Sequence, residues 1–371
     1  MIRRLLILNG LAILGVILFH SSGWGFVAMF AWVSRYMPDA TSNFEQAGSA
    51  AYYAFRLVEQ LIVVSIPAFL FVSGFFIAFA TGRTHKTVGW NVIGARIKNM
   101  LIPYLLWSLL AFAGWVIFDG RRLPPLTYIR LLLTGGATPA YYYVILLCQF
   151  YLFSPFLVPL AKNHWKWLLA AALVLQLAVQ VLQYPVILGF DVPAVIQPFV
   201  DKVPKWFFPA RAFWFTLGVV AGFHLKGLKA WITPHKWAWL VLTVVTYVLG
   251  VIEWEMYIKW SGHIGMAHRE TLLDDVYSLA FIFAFFAFAN VSIPLSRELG
   301  NLGSKSFGIY MAHVPVMEYT ARAVYLLVPW MLAYQILFQP LLIVLGLGIP
   351  LLLMLLMEKS PVQRYYQYVF G

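Results

Sequence analysis

Charge is what this sequence has least of. Only 11% of its 371 residues are Asp, Glu, Lys or Arg, against about a quarter in ordinary soluble domains. That deficit excludes a large soluble core. Cysteine is rarer still: Cys148 stands alone in an apolar run, so no intrachain disulfide forms and the thiol reads as packing. Phosphate-binding glycine loops, a dinucleotide fingerprint and paired Cys-x-x-Cys are all missing. Ser73 in Val72-Ser-Gly74 continues into more apolar helix and lacks the turn of a serine nucleophile. His263 and His268, near Glu270, Asp274 and Asp275, match no metal-ligand spacing, so no metal is expected.

Apolar sequence fills the space that charge leaves. Hydrophobic residues make up 62% of the chain, and its mean hydropathy is +0.80. Apolar runs recur at about 20 residues, the length that crosses a hydrocarbon core of roughly 30 Å. They do not alternate as barrel strands do. The expected fold class is therefore all-α, a polytopic membrane bundle of about ten helices forming one domain over 1–371. Spans are predicted near 5–22, 60–81, 100–118, 141–161, 166–183, 206–224, 237–253, 275–293, 307–328 and 332–357. The first run is long, and no small-x-small pattern follows Phe19, so it reads as an uncleaved span. Tyr128 to Leu133 reads as a short interfacial helix between spans.

The formal charge of +12 would point a soluble protein toward nucleic acid. Here it reads as positive-inside topology and contact with anionic headgroups, with no nucleic-acid partner. With the N-terminus inside, the inner segments hold most of the basic residues. Both termini are then expected on the cytoplasmic side. Arg121, Arg122 and Arg130, in an outer loop, run against this trend.

Polar side chains within spans are costly and mark cavities, partners or pathways. Here they are His20, Ser73, Gln149, Arg211, Asp274, Asp275, His313, Glu318 and Arg322. His20 ends a greasy run and precedes Ser21, Ser22 and two glycines. An imidazole there either moves a proton or caps the helix end. Arg96 and Lys98 precede the third span, where they either anchor it or bind phosphate. Arg211 either snorkels or orients a substrate oxygen. Glu318 and Arg322 are spaced to pair on one helix face. His313 precedes Pro315, which disturbs the helix, so it lines a cavity or bonds the freed carbonyls.

Several segments then stand in a telling order. They are Asn9-Gly-Leu-Ala-Ile-Leu-Gly-Val-Ile-Leu-Phe-His20, Ile66-Pro-Ala-Phe-Leu-Phe-Val-Ser-Gly-Phe-Phe76 and Arg96 to Trp107. Tyr141 to Pro155, Arg211 to Gly218, and Ser306-Phe-Gly-Ile-Tyr-Met-Ala-His313 follow. Together they resemble the acyltransferase-3 family of integral membrane acyltransferases. In two places the chain departs from the family pattern: Asn9 and Asn99 stand where the family often has arginine. Lys98 is a candidate for the missing charge.

The resemblance implies transfer of an acyl group, most simply acetyl, from cytoplasmic acyl-CoA to a carbohydrate hydroxyl. It implies His20 as general base, and Arg96 and Lys98 toward the donor. Arg211, Ser73, Tyr310 and His313 are the candidates for binding substrate or the oxyanion. No bound metal or organic cofactor is implied, and the expected setting is a bacterial inner membrane. On the residues alone, a transporter or flippase for a glycan or lipid-linked sugar is the alternative.

Overall fold

The computed structural model describes residues 2–37, 47–187, 204–262 and 271–371. Among them all regular structure is helical. In chain order the helices are α1 (Ile2–Phe26), α2 (Ala50–Ile62), α3 (Ser65–Thr81), α4 (Trp90–Asp119) and α5 (Pro125–Thr134). Next come α6 (Tyr142–Asn163), α7 (Trp165–Ile187), α8 (Ala212–Phe223), α9 (Leu225–Ile232) and α10 (Lys236–Ser261). The last are α11 (Leu272–Ala287), α12 (Ser296–Ser304), α13 (Ser306–Leu327), α14 (Gln335–Glu358) and α15 (Tyr366–Phe370).

Each expected span falls on a helix or a helix pair. Among the described residues, seven segments are long and apolar enough to cross a bilayer by themselves. α8, α11 and α13 are outside that set because they are shorter or more polar. They are also the helices that carry or adjoin Arg211, Asp275 and His313. On α7 and α10, residues such as Val174, Val181, Val241 and Val244 are exposed, as a face toward lipid requires. The chain is an integral membrane helical bundle.

Two boundaries differ from expectation. The span over 60–81 is broken at Val63 and Val64 into α2 and α3. Pro67 explains the break, because it has no N–H for the Val63 carbonyl and its ring crowds that turn. The span over 275–293 stops at Ala287. Pro294 lies just beyond, and Arg4 from α1 donates to the carbonyls of Phe288 and Ala289 at 3.1 and 2.8 Å. A basic side chain there satisfies orphan carbonyls at a helix C-terminus.

α1 is central and packs against α2, α3, α12, α13 and α14. α3 crosses α8 closely because Gly74 meets the Phe215 backbone and Gly218 meets the Phe71 backbone. A Cβ at either glycine would collide with a carbonyl oxygen. Small residues at such crossings let membrane helices approach. α1 lies against α12 in the same way, with Gly303 on the Leu6 backbone and Gly10 on the Leu299 backbone.

Candidate active site

The α1–α12 crossing sets a register. α12 runs almost directly into α13, parallel to α1. From Gly10 and from Gly303, ten residues further along lie His20 and His313. At about 1.5 Å per residue both histidines reach the same level. Their ring centroids are 5.1 Å apart. His313 is fully buried, at 0% exposure. Its Nδ1 lies 2.8 Å from the Tyr310 carbonyl and 3.2 Å from the Ile309 carbonyl. Carbonyls only accept, so Nδ1 carries the proton. The lone pair of neutral His313 is then on Nε2, which is buried and has no hydrogen-bond partner among the described residues.

The serines after His20 are occupied elsewhere. Ser21 donates to Gln339 of α14, and Ser22 bonds back to the Leu18 carbonyl at 3.0 Å. His20 itself is half-buried and faces a cavity of about 210 Å³. That cavity is also lined by Glu59, Gln176, Gln180, Arg211, Asp274 and Asp275. Arg211 is 3% exposed. Its Nη1 donates to the Lys205 carbonyl at 2.6 Å, and its guanidinium lies 5.2 Å from the Tyr142 ring centroid. Gln149 steadies the segment before it, donating to the Trp206 carbonyl at 2.7 Å.

Gln176 joins two elements. Its Nε2 donates to Asp275 at 2.9 Å, and its Oε1 accepts the Phe213 N–H at 3.1 Å. That N–H is in the first turn of α8, where helices leave donors unpaired. Gln60 donates to Asp274 at 2.9 Å, while Asp274 and Thr271 form a capping box that starts α11. Gln180 is 4% exposed, and its Oε1 has no partner among the described residues.

A second cavity, of about 480 Å³, lies toward the N-terminal end of α1. Asn9, Ser73, Arg96, Asn99, Tyr143 and Tyr151 are among its lining residues. Arg96 lies over the Tyr151 ring, 5.6 Å from its centroid. The two positions that depart from the resemblance, Asn9 and Asn99, thus share one cavity with Arg96. Lys98 is exposed on α4 and does not line it. Tyr310 lines both cavities, and its hydroxyl donates to the Ala140 carbonyl.

The family model described as an acyltransferase domain, acyltransferase-3, matches residues 5–357. The chain belongs to the acyltransferase-3 family. It is also similar to the membrane-bound acyltransferase YfiQ of Bacillus subtilis (strain 168), with 23% identity over 266 residues, 69% of each chain. No solved structure matches. As a membrane acyltransferase, the chain needs places for an acyl donor and for an acceptor, and the described residues form cavities lined by polar side chains at two levels of α1.

Of the site residues expected from sequence, the fold brings His20 and Arg211 to one cavity and Arg96 and Ser73 to the other. His313 stands behind His20, Tyr310 between the cavities, and Lys98 outside both. Glu318 accepts from Arg322 at 2.8 Å, as their spacing implied, and Asp119 of α4 also binds Arg322. His263, His268 and Glu270 lie outside the described residues. Sequence reasoning missed Glu59, Gln176 and Gln180. Gln176 and Gln180 carried a signal, since two amides four residues apart share one face of an apolar span.

Proposed function

We propose that this acyltransferase moves an acyl group, most simply acetyl, from acyl-CoA in the Arg96 cavity to a carbohydrate hydroxyl in the His20 cavity. The observation that supports this best is the placement of the two cavities along α1, with Tyr310 common to both. Asn9 and His20 are eleven residues apart on that helix, about 16 Å. With the N-terminus cytoplasmic, the Arg96 cavity faces the acyl-CoA pool and the His20 cavity faces the opposite side of a bacterial inner membrane. Arg96 meets the donor's anionic groups.

The acceptor is held by side chains suited to a polyol. Gln180 Oε1 accepts from a hydroxyl, and Asp275 and Arg211 contact others. A groove of about 980 Å³ continues from this cavity past Tyr142 and Lys205 to Trp24, Trp115 and Trp206, whose ring faces suit sugar rings. His20 takes the acceptor proton as the hydroxyl oxygen bonds to the thioester carbonyl carbon. Arg211 stabilises the oxyanion. The C–S bond then breaks, and the imidazolium returns its proton to the leaving thiolate. No step requires a metal or a bound cofactor.

Acyl transfer from labelled acetyl-CoA to extracted surface glycans tests this in membranes that hold equal amounts of wild type or His20→Ala. A general base contributes about 10²–10⁴-fold, so the variant leaves glycan label at background. Equal labelling would return His20 to a structural role. An unlabelled glycan with wild type overturns the glycan acceptor, and label in lipid instead would identify a lipid acceptor.

A further inference from the structure

We propose that His313 is a positioning residue that fixes the tautomer of His20. It does so by accepting the His20 ring N–H on its own Nε2. The proposal rests on the reading of His20 as general base and adds what makes that base competent. A neutral imidazole exists in two tautomers, and only one presents its lone pair to the cavity. Something must hold the other nitrogen as a donor. In the hydrolase triads a buried carboxylate does this. Among the described residues no carboxylate bonds either histidine.

His313 has the needed properties. Its Nδ1 proton is committed to the Tyr310 and Ile309 carbonyls, so its Nε2 can only accept while the ring is neutral. That atom is buried and unpartnered, and buried acceptors are seldom left so. The imidazole packed beside it is His20. Its ring centroid is 5.1 Å away at a tilt of 55°, and no hydrogen bond within the described protein engages it. Two imidazoles hydrogen-bonded edge to edge have centroids about 5 Å apart, so this separation suits such a bond once the His20 N–H edge turns toward α13. Aromatic rings also hold the pair: Phe19 packs on His20 and Tyr310 on His313, with centroids 5.4 and 5.6 Å away. The His20 nitrogen that does not face His313 is then the one with the free lone pair.

The test is nitrogen NMR on the full chain in lipid vesicles, with ¹⁵N-labelled histidine and His20→Gln for assignment. We expect one His20 tautomer and a coupling across the hydrogen bond between a His20 nitrogen and His313 Nε2. His313→Phe keeps a ring without an acceptor, and His20 then shows both tautomers. His313→Gln offers a carbonyl in place of Nε2 and restores the single form. In the transfer assay His313→Phe lowers kcat at least tenfold with KM for acyl-CoA unchanged, and His313→Gln recovers most of it. Absence of the coupling in the wild type overturns the proposal, whether or not the variants fold. An unchanged tautomer in folded His313→Phe does the same. The base reading fails separately, if His20→Ala still transfers acyl groups while the coupling is present.

Discussion

Gln180 and Gln176 are the same amide one helical turn apart, and the structure gives them opposite jobs. Gln176 is spent on the protein, between Asp275 and the first turn of α8. Gln176→Leu leaves a buried N–H unpaired, which costs about 1–3 kcal/mol, and a thermal melt in detergent should register that loss. Gln180 also bonds Asp275, but its Oε1 has no partner among the described residues, so Gln180→Leu should lower the melting temperature less than Gln176→Leu does. Its effect belongs to the acceptor. Losing one hydrogen bond to substrate raises acceptor KM about tenfold, with KM for acyl-CoA unchanged. Arg96→Gln does the reverse, and initial rates with each substrate varied in turn separate the two. Among the candidate residues, His20 and Arg211 were legible because an ionisable group in an apolar run is conspicuous, and Arg96 because it stands in the basic segment before the third span. The amides were not, since Gln costs less in a span, and only their four-residue spacing marked them. The facing of His20 and His313 was hidden for a different reason: it depends on a crossing between Gly10 and Gly303, far apart in sequence.

Helices in this bundle are interrupted by prolines, and each interruption needs a donor from elsewhere. Pro315 in α13 has no N–H for the Met311 carbonyl. The Tyr141 hydroxyl, at the start of α6, supplies the bond at 2.7 Å. Pro159 leaves the Pro155 carbonyl free in the same manner, and Thr87 donates to it at 2.6 Å. Tyr141→Phe should therefore lower stability by about 1–3 kcal/mol, because a buried carbonyl is left unpaired. Pro315→Ala restores a backbone donor to that carbonyl. Thermal melts of the two single variants and the double variant form a cycle. The loss from Tyr141→Phe shrinks when Pro315→Ala is present. Equal losses in both backgrounds would mean that Tyr141 acts through packing alone. Hydropathy made the spans legible, and Pro67 was visible in Ile66-Pro-Ala68. The break that it imposes between α2 and α3 was not read, because a proline in the first turn of a helix is ordinary. Only the structure shows that a second helix ends immediately before it.

At the scale of the whole molecule, the bundle separates two polar cavities along α1, and Tyr310 stands between them. The separation follows from the three kinds of helix in the chain. Apolar helices such as α7 and α10 face lipid, α1 is held among its neighbours, and the polar α11 and α13 border the site. Composition announced the first kind, and the motifs pointed to parts of the other two. Their arrangement around a shared tyrosine required the tertiary structure. If donor and acceptor are to arrive from opposite sides of a membrane, the two cavities must be reached from opposite sides. The lone Cys148 is buried and is removed first by Cys148→Ala, so that a single new thiol reports its own location. Lys205→Cys lies at the His20 cavity and Asn99→Cys at the Arg96 cavity, both at exposed positions. A membrane-impermeant maleimide added to intact cells should label Lys205→Cys and spare Asn99→Cys, with the pattern reversed in inside-out vesicles. Excess acyl-CoA should slow labelling of Asn99→Cys alone. Labelling of both thiols from one side would end the two-sided reading. The opposite pattern would place the N-terminus outside and put the donor cavity out of reach of the cytoplasmic pool.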